Sequence, residues 1–141
     1  MAGSAADDFN QRIIEEFRAN DGRIGGPLAG TPILLLHHIG AKSGIARITP
    51  LAYRPHGEGR YVIVASNGGS ATHPGWYHNL RANPIVAVEL AIETFTARSE
   101  ELQGADRDTL WPKLVAASPS LREYEAKTAR QIPMFILARG Q

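Results

Sequence analysis

Two polar loops, each set between apolar runs, hold the residue types in this chain best suited to chemistry. The first reads Gly40-Ala41-Lys42-Ser43-Gly44, with Arg47 and Pro50 on the segment that follows. Such a turn leaves backbone N–H groups facing outward as an anion-binding concavity. Ser43 adds a hydroxyl, Lys42 a point charge, and Arg47 a planar fork suited to phosphate. The second loop, Ala65-Ser66-Asn67-Gly68-Gly69-Ser70, runs into Pro74-Gly75-Trp76-Tyr77-His78-Asn79-Leu80-Arg81. Its small residues let backbone approach a planar ligand and offer N–H groups to ring carbonyls. Asn67 suits either a left-handed turn or a ligand contact. A helix opening at Trp76 aims its first N–H groups at the same place, where they favour an anion or a carbonyl. Asn79, one turn in, can cap the loop or meet the ligand. Each loop alone also fits a solvated hairpin. Together they describe a site for an anionic group joined to a flat ring, the chemistry of a flavin-like cofactor.

Other chemistries find less support. The histidines at 37, 38, 56, 73 and 78 raise the question of a metal. No carboxylate is spaced with them as in a familiar motif, and adjacent His37 and His38 on a strand point to opposite faces, so no metal site is expected. The absence of Cys excludes a disulfide framework, a thiolate metal site and a nucleophilic thiol. No Gly-x-Ser-x-Gly elbow marks a hydrolase. A net charge of +1 argues against a dedicated nucleic-acid partner. Met1 to Asp8 is small and acidic, unlike a signal peptide, and the run from Ile33 to Ile39 is too short to cross a bilayer. A cytoplasmic location is the expectation. Glu15 and Glu16 on the polar face of the first helix give no support to peripheral membrane contact.

The elements that must position these loops follow from periodicity. With 141 residues, 43% hydrophobic and 21% charged, the chain is expected to form one domain over residues 8–141 after a disordered start at 1–7. Asp8 is placed as an N-cap with Gln11 completing a capping box, and Phe9, Ile13, Ile14 and Phe17 share one helix face that ends at Asn20-Asp21-Gly22. Strands are expected at Ile33–Ile39, Arg47–Arg54, Tyr61–Ala65, Ile85–Leu90, Thr94–Arg98 and Pro133–Ala138. Helices are expected at Trp76–Ala82, Asp106–Ala117 with Pro112 in its first turn or so, and Pro119–Ala129. Short antiparallel connections without a β-α-β rhythm predict a mainly β, α+β fold: a barrel of about six antiparallel strands with short helices packed on it.

Three ordered motifs then resemble a known family. They are Gly40-x-Lys42-Ser43-Gly44-x-x-Arg47-x-x-Pro50-Leu51, Ala65-Ser66-Asn67-Gly68-Gly69 and Pro74-x-Trp76-Tyr77-x-Asn79-Leu80-x-Ala82-Asn83-Pro84. The chain resembles the deazaflavin-dependent nitroreductases of actinobacteria, split-β-barrel oxidoreductases that use coenzyme F420, over nearly its whole length. The resemblance implies a hydride passed from reduced F420 to a small organic acceptor such as an enone, quinone or nitro compound. It places Ala41, Lys42, Ser43 and Arg47 around the cofactor's phosphate and acidic tail. The strand carrying Ile48, Thr49 and Pro50 would line the ribityl-like chain. Val64, Ala65, Ser66, Asn67 and Gly68 would meet the ring, and Gly75, Trp76, Tyr77, His78 and Asn79 would close the site. No residue is an obligatory acid or base, and Ser66 and Tyr124 are the expected donors to the acceptor. Where nitroimidazole-reducing members carry tyrosines this chain has Ala52, Ser118 and Leu121, which implies a wider, less aromatic acceptor pocket. A dehydrogenase that reduces F420 is the implied partner, and a monomer or weak oligomer the implied assembly. Two alternatives stay open: an FMN-binding oxidoreductase on a similar barrel, and a non-catalytic carrier of F420 or another lipid-like ligand.

Overall fold

Ile33–Ile39 is apolar at nearly every position because both of its faces are covered. In the computed structural model, which describes residues 5–26 and 29–140, this strand is β1, and α1 (Ala5–Ala19) precedes it. The chain continues through β2 (Ala46–Ala52), β3 (Arg54–Pro55), β4 (Arg60–Val64), a 3-10 turn at Asn67–Gly69 and α2 (Gly75–Ala82). After these come β5 (Ile85–Leu90), β6 (Glu93–Glu101), α3 (Gly104–Ala117), α4 (Pro119–Lys127) and β7 (Met134–Arg139). All strands pair antiparallel in the order β2-β1-β5-β6-β7-β4-β3.

Only Tyr53 separates β2 from β3, so the first and last strands of that order are consecutive pieces of chain. The sheet therefore curls back on itself. The strand expected over Arg47–Arg54 is two strands, which raises the expected six to seven. β3 pairs Arg54 with Val62, and the same register extended backward would set Ala52 opposite Val64. β2 instead runs with β1, from Ile33 opposite Ala52 to Ile39 opposite Ala46. The barrel is split where β2 leaves β4.

Inside the barrel, Leu34, Leu36, Ile63, Val86, Val88, Phe135 and Leu137 form the core, and α2 lowers Trp76, Tyr77 and Leu80 into it. The opposite parity faces outward. Ile33 and Leu35 pack against Ile13, Ile14 and Phe17 of α1, and Val62, Met134 and Ile136 pack under Leu114 of α3. Strands with a helix on their outer face thus read as continuous apolar runs, whereas β6 alternates. An ion pair fastens α1: the Arg18 fork donates to both oxygens of Glu89 at 3.1 and 2.7 Å, and His37 Nε2 lies 2.6 Å from Glu89 Oε2. The Arg18 hydrogen bonds are the largest cause holding the Glu89 carboxyl below its usual range. No helix among the described residues is long and apolar enough to cross a membrane.

Two local expectations are corrected. α1 begins at Ala5, so Asp8 lies within the helix and caps nothing, and Gln11 donates to Glu15 at 3.3 Å. Residues 5–7 are therefore helical, and residues 1–4 of the expected disordered start lie outside the described residues. Helix propensity at the alanines extends the helix past the capping signal. Pro112 sits at the ninth position of α3, not in its first turn, and forgoes the bond to the Asp108 carbonyl. Both residues are exposed, so solvent can replace that bond.

The end of α1 touches the β5–β6 turn through one glycine. Gly22 has φ +90, and a Cβ there would stand 2.6 Å from Ala91 Cα. Gly22→Ala is expected to destabilise the fold by about 2–4 kcal/mol, from backbone strain plus overpacking. Gly26→Ala, at φ +64 with open space around it, should cost about 1 kcal/mol. Urea unfolding of the two variants checks this, and equal losses would refute the close approach.

Candidate functional site

The split in the barrel is a cleft of about 1020 Å³. The β1–β2 turn, the inner face of β2, the loop after β4 and the start of α2 enclose it, and Asn10 of α1 stands at its rim. Alternation along β2 brings Arg47, Thr49 and Leu51 to the cleft, about 13 Å from first to last. Ile48 and Pro50 have the opposite parity and do not line it; Ile48 packs beside the α1 cluster. The cleft is polarised. Lys42, Ser43 and Arg47 mark one end, Leu51, Val64 and Trp76 the other, and no Asp or Glu lines it among the described residues.

The anion-binding turn is built tightly. Gly44 N–H donates to the Gly40 carbonyl at 3.0 Å and Gly40 N–H to the Ile45 carbonyl at 2.9 Å. A Cβ at Gly40 would displace Ser43 Oγ from its present position. Ser43 Oγ accepts from Ile45 N–H at 3.1 Å, leaving its own O–H free to donate. Among the described residues, the N–H groups of Lys42 and Ser43 make no hydrogen bond, and neither Lys42 nor Arg47 joins an ion pair. Two cations, two amides and a hydroxyl are thus left for a ligand.

Asn79 fixes this turn from α2. Its Oδ1 accepts from Ala41 N–H at 2.8 Å, and its Nδ2 lies 2.9 Å from His38 Nδ1. His38 Nε2 in turn lies 2.8 Å from Thr49 Oγ1. His38 is 4% exposed. Burial first, then the charges of Arg47 and His37, push its imidazole down to about 4.

The second loop is held from the opposite side by Arg130. Its guanidinium donates to the carbonyls of Ser66 at 2.7 Å, Ser70 at 2.9 Å and Ala65 at 3.2 Å, and to His73 Nδ1 at 2.9 Å. Asn67 takes the left-handed conformation at φ 48 and donates to the Thr72 carbonyl at 3.1 Å, so its amide serves the loop. The His73 ring stacks on Tyr77 with centroids 4.0 Å apart.

Most of the expected residues converge. Ala41, Lys42, Ser43, Arg47, Thr49, Val64, Ser66, Asn67, Gly75, Trp76, His78 and Asn79 all line the cleft. Ala65 and Tyr77 are buried in the barrel core behind it, and Gly68 lies in the 3-10 turn beside it. Tyr124 does not line it: its backbone lies against Gly69, where a Cβ would stand 3.1 Å from Tyr124 Cα. Sequence reasoning missed Asn10, His38, Leu51 and His73 as wall residues. Parity offered a signal for two of them, since His38 shares the inner face with Leu34 and Leu36, and Leu51 follows Arg47 and Thr49. No three His, Cys, Asp or Glu side chains converge as metal ligands among the described residues.

Comparison with known proteins agrees with this geometry. The sequence profile of the family described as F420H(2)-dependent quinone reductase matches residues 10–139. The chain belongs to that family. An F420H(2)-dependent quinone reductase of Mycobacterium tuberculosis is 41% identical over 128 residues, covering 87% of this chain and 85% of that enzyme. A solved F420-H2 dependent reductase superposes with a TM-score of 0.66 at 42% identity, over 75% of this chain and 93% of the other. Another solved structure, described as a domain-swapped dimer, matches at 0.68 and 38% identity over 93% of this chain and 98% of its own. The split-barrel fold and the deazaflavin-linked oxidoreductase class expected from the motifs are therefore those of the F420H(2)-dependent quinone reductases.

A stability prediction follows from His38. In the fold it stays neutral down to about pH 4, whereas the unfolded chain takes a proton near 6.5. The unfolded state therefore binds more protons between these values, and stability is lost as pH falls from 7 toward 4, by roughly 2–3 kcal/mol from this residue. His73, lowered first by burial and then by Arg130, acts in the same direction. In His38→Gln, urea unfolding at pH 7.5 and 4.5 should show a drop smaller by about 2 kcal/mol. An equal drop would remove His38 from the account.

Proposed function

We propose that this chain binds coenzyme F420 in the cleft and uses its reduced form to reduce a quinone. One observation carries the reading: the unpaired cations and free amides at Lys42, Ser43 and Arg47 are joined along one face of β2 to an apolar end at Leu51, Val64 and Trp76. That donor set fits a ligand with an anionic tail and a flat ring. A bound 5-deazaflavin supplies a hydride in a two-electron step and reacts poorly with dioxygen. Lys42, Ser43 and Arg47 hold the phosphate and acidic tail, and Thr49 meets the linking chain. Ser66 and Asn67 bring backbone to the ring edge while Trp76 forms a wall. The cleft lies at the upper end of the range for small-ligand sites, about 300–1,000 Å³, as a cofactor of this length requires.

Negative charge that builds on the acceptor oxygen needs donors already in place. Ser66, His73 and His78 line the cleft and can supply them, and the position of Tyr124 behind Gly69 argues against its use. With its proton on Nε2, because Nδ1 accepts from Arg130, His73 acts as a neutral donor. A dehydrogenase that reduces F420 must supply the reduced cofactor. Membership in a reductase family favours turnover over a carrier role.

Fluorescence titration with F420, with FMN in parallel, tests the cofactor, and a quinone panel with reduced F420 tests the reaction. Micromolar or tighter binding of F420, none of FMN, and quinone-dependent oxidation of reduced F420 are expected. Preference for FMN would transfer the site to a flavin, and F420 binding without turnover of any acceptor would make the protein a carrier. Lys42→Ala with Arg47→Ala should weaken F420 binding by a few kcal/mol through loss of two charge-assisted contacts. Unchanged affinity would overturn the assignment of the anionic end.

A further inference from the structure

The hydrogen bonds behind the β2 wall have a direction set by one backbone amide. Ala41 N–H can only donate, so the Asn79 atom 2.8 Å from it is the carbonyl oxygen. The other amide atom, Nδ2, is then a donor, and it faces His38 Nδ1 at 2.9 Å. Nδ1 must therefore accept and carries no proton. The proton of the neutral ring is on Nε2, which donates to Thr49 Oγ1 at 2.8 Å. A hydroxyl that accepts from the ring keeps its single O–H for another partner, and Thr49 lines the cleft.

We propose that His38 is a positioning residue that keeps the Thr49 O–H free to donate to an oxygen of bound F420. This rests on the reading of the cleft given above. Thr49 stands two residues along β2 from Arg47, about 6.8 Å from the anionic end toward the apolar one. The oxygen it meets thus belongs to the uncharged linking chain, as a hydroxyl or ester oxygen, and not to the phosphate held by Lys42 and Arg47. The opposite tautomer would reverse the contact. Thr49 would have to donate to Nε2, only its lone pairs would face the cleft, and Asn79 Nδ2 would oppose an N–H. The single amide of Ala41 thereby sets which hydrogen-bonding group the cleft presents at Thr49.

The decisive measurement is the tautomer of His38 in the free protein, from two-bond 1H–15N correlation of ring nitrogens at pH 6 to 8. A neutral Nε2–H ring is expected. Asn79→Asp, which keeps an acceptor for Ala41 but removes the donor to His38, should move the ring proton to Nδ1. F420 affinity supplies the second readout. Thr49→Val should weaken binding about fivefold to tenfold, the value of one hydrogen bond, while Thr49→Ser recovers it. His38→Leu should lose affinity as Thr49→Val does, and His38→Gln, which can accept from Asn79 and donate to Thr49, should recover most of that loss. Melting temperatures of the Thr49 variants, compared in parallel, separate this contact from folding. An Nδ1–H ring or an imidazolium in the wild type overturns the proposal, as does Thr49→Val binding F420 with wild-type affinity. If the wild-type protein binds no F420, the cofactor reading fails together with the ligand assigned to Thr49, and the tautomer spectrum, recorded without ligand, still decides the direction of the relay.

Discussion

The arrangement depends on one constraint: a single stretch of chain must serve as both outer strands of a sheet that closes on itself. β2 runs beside β1 and β3 beside β4, with one tyrosine between them. Full closure would zip β2 onto β4 and fill the interior. Divergence at Tyr53 leaves a gap between Leu51 and Val64, and the cleft occupies it. Binding space in this protein is thus a missing stretch of strand pairing. Alternation along β2 then grades the wall from charged to hydroxylated to apolar without any irregularity in the backbone.

The two loops that border the gap are each fixed by a polar side chain from a distant element. Asn79 grips the turn after β1 from α2, and Arg130 grips three carbonyls of the loop after β4 from the segment before β7. Each anchor satisfies backbone groups that would otherwise need water. Loops pinned in this way have less freedom left to lose, which reduces the ordering cost that binding must overcome. Glycine is favoured where the second loop comes close to other backbone, at Gly69, with φ +84, against Tyr124.

The barrel was legible in the sequence because burial leaves a parity. β1, β4 and β7 are covered on both faces and read as runs, and β6 alternates as a half-exposed strand should. The break at Tyr53 left no such mark, since no glycine or proline separates β2 from β3. The cleft was legible as segments, through the glycines and cations of the two loops. It was not legible residue by residue: naming Ile48, Thr49 and Pro50 together overlooked the alternation that sends only Thr49 inward. His38 was weighed only as a metal ligand, although its parity with Leu34 and Leu36 already placed it inside. Arg130 carries no local signal, because the carbonyls it holds lie 60 to 65 residues away. Tyr124 was placed by likeness to relatives, and the packing of α4 against Gly69 sets it elsewhere.

β1 is a wall one residue thick. His37 faces outward to the carboxylate that fastens α1, and His38 faces inward to the group that orients the cleft. The two imidazoles belong to neighbouring residues, so one stretch of backbone carries both the outer contact under α1 and the inner lining. For protein engineering, the strand puts the residue that meets the α1 ion pair next in the chain to the one that orients the cleft, so a substitution at either position must be judged on both faces.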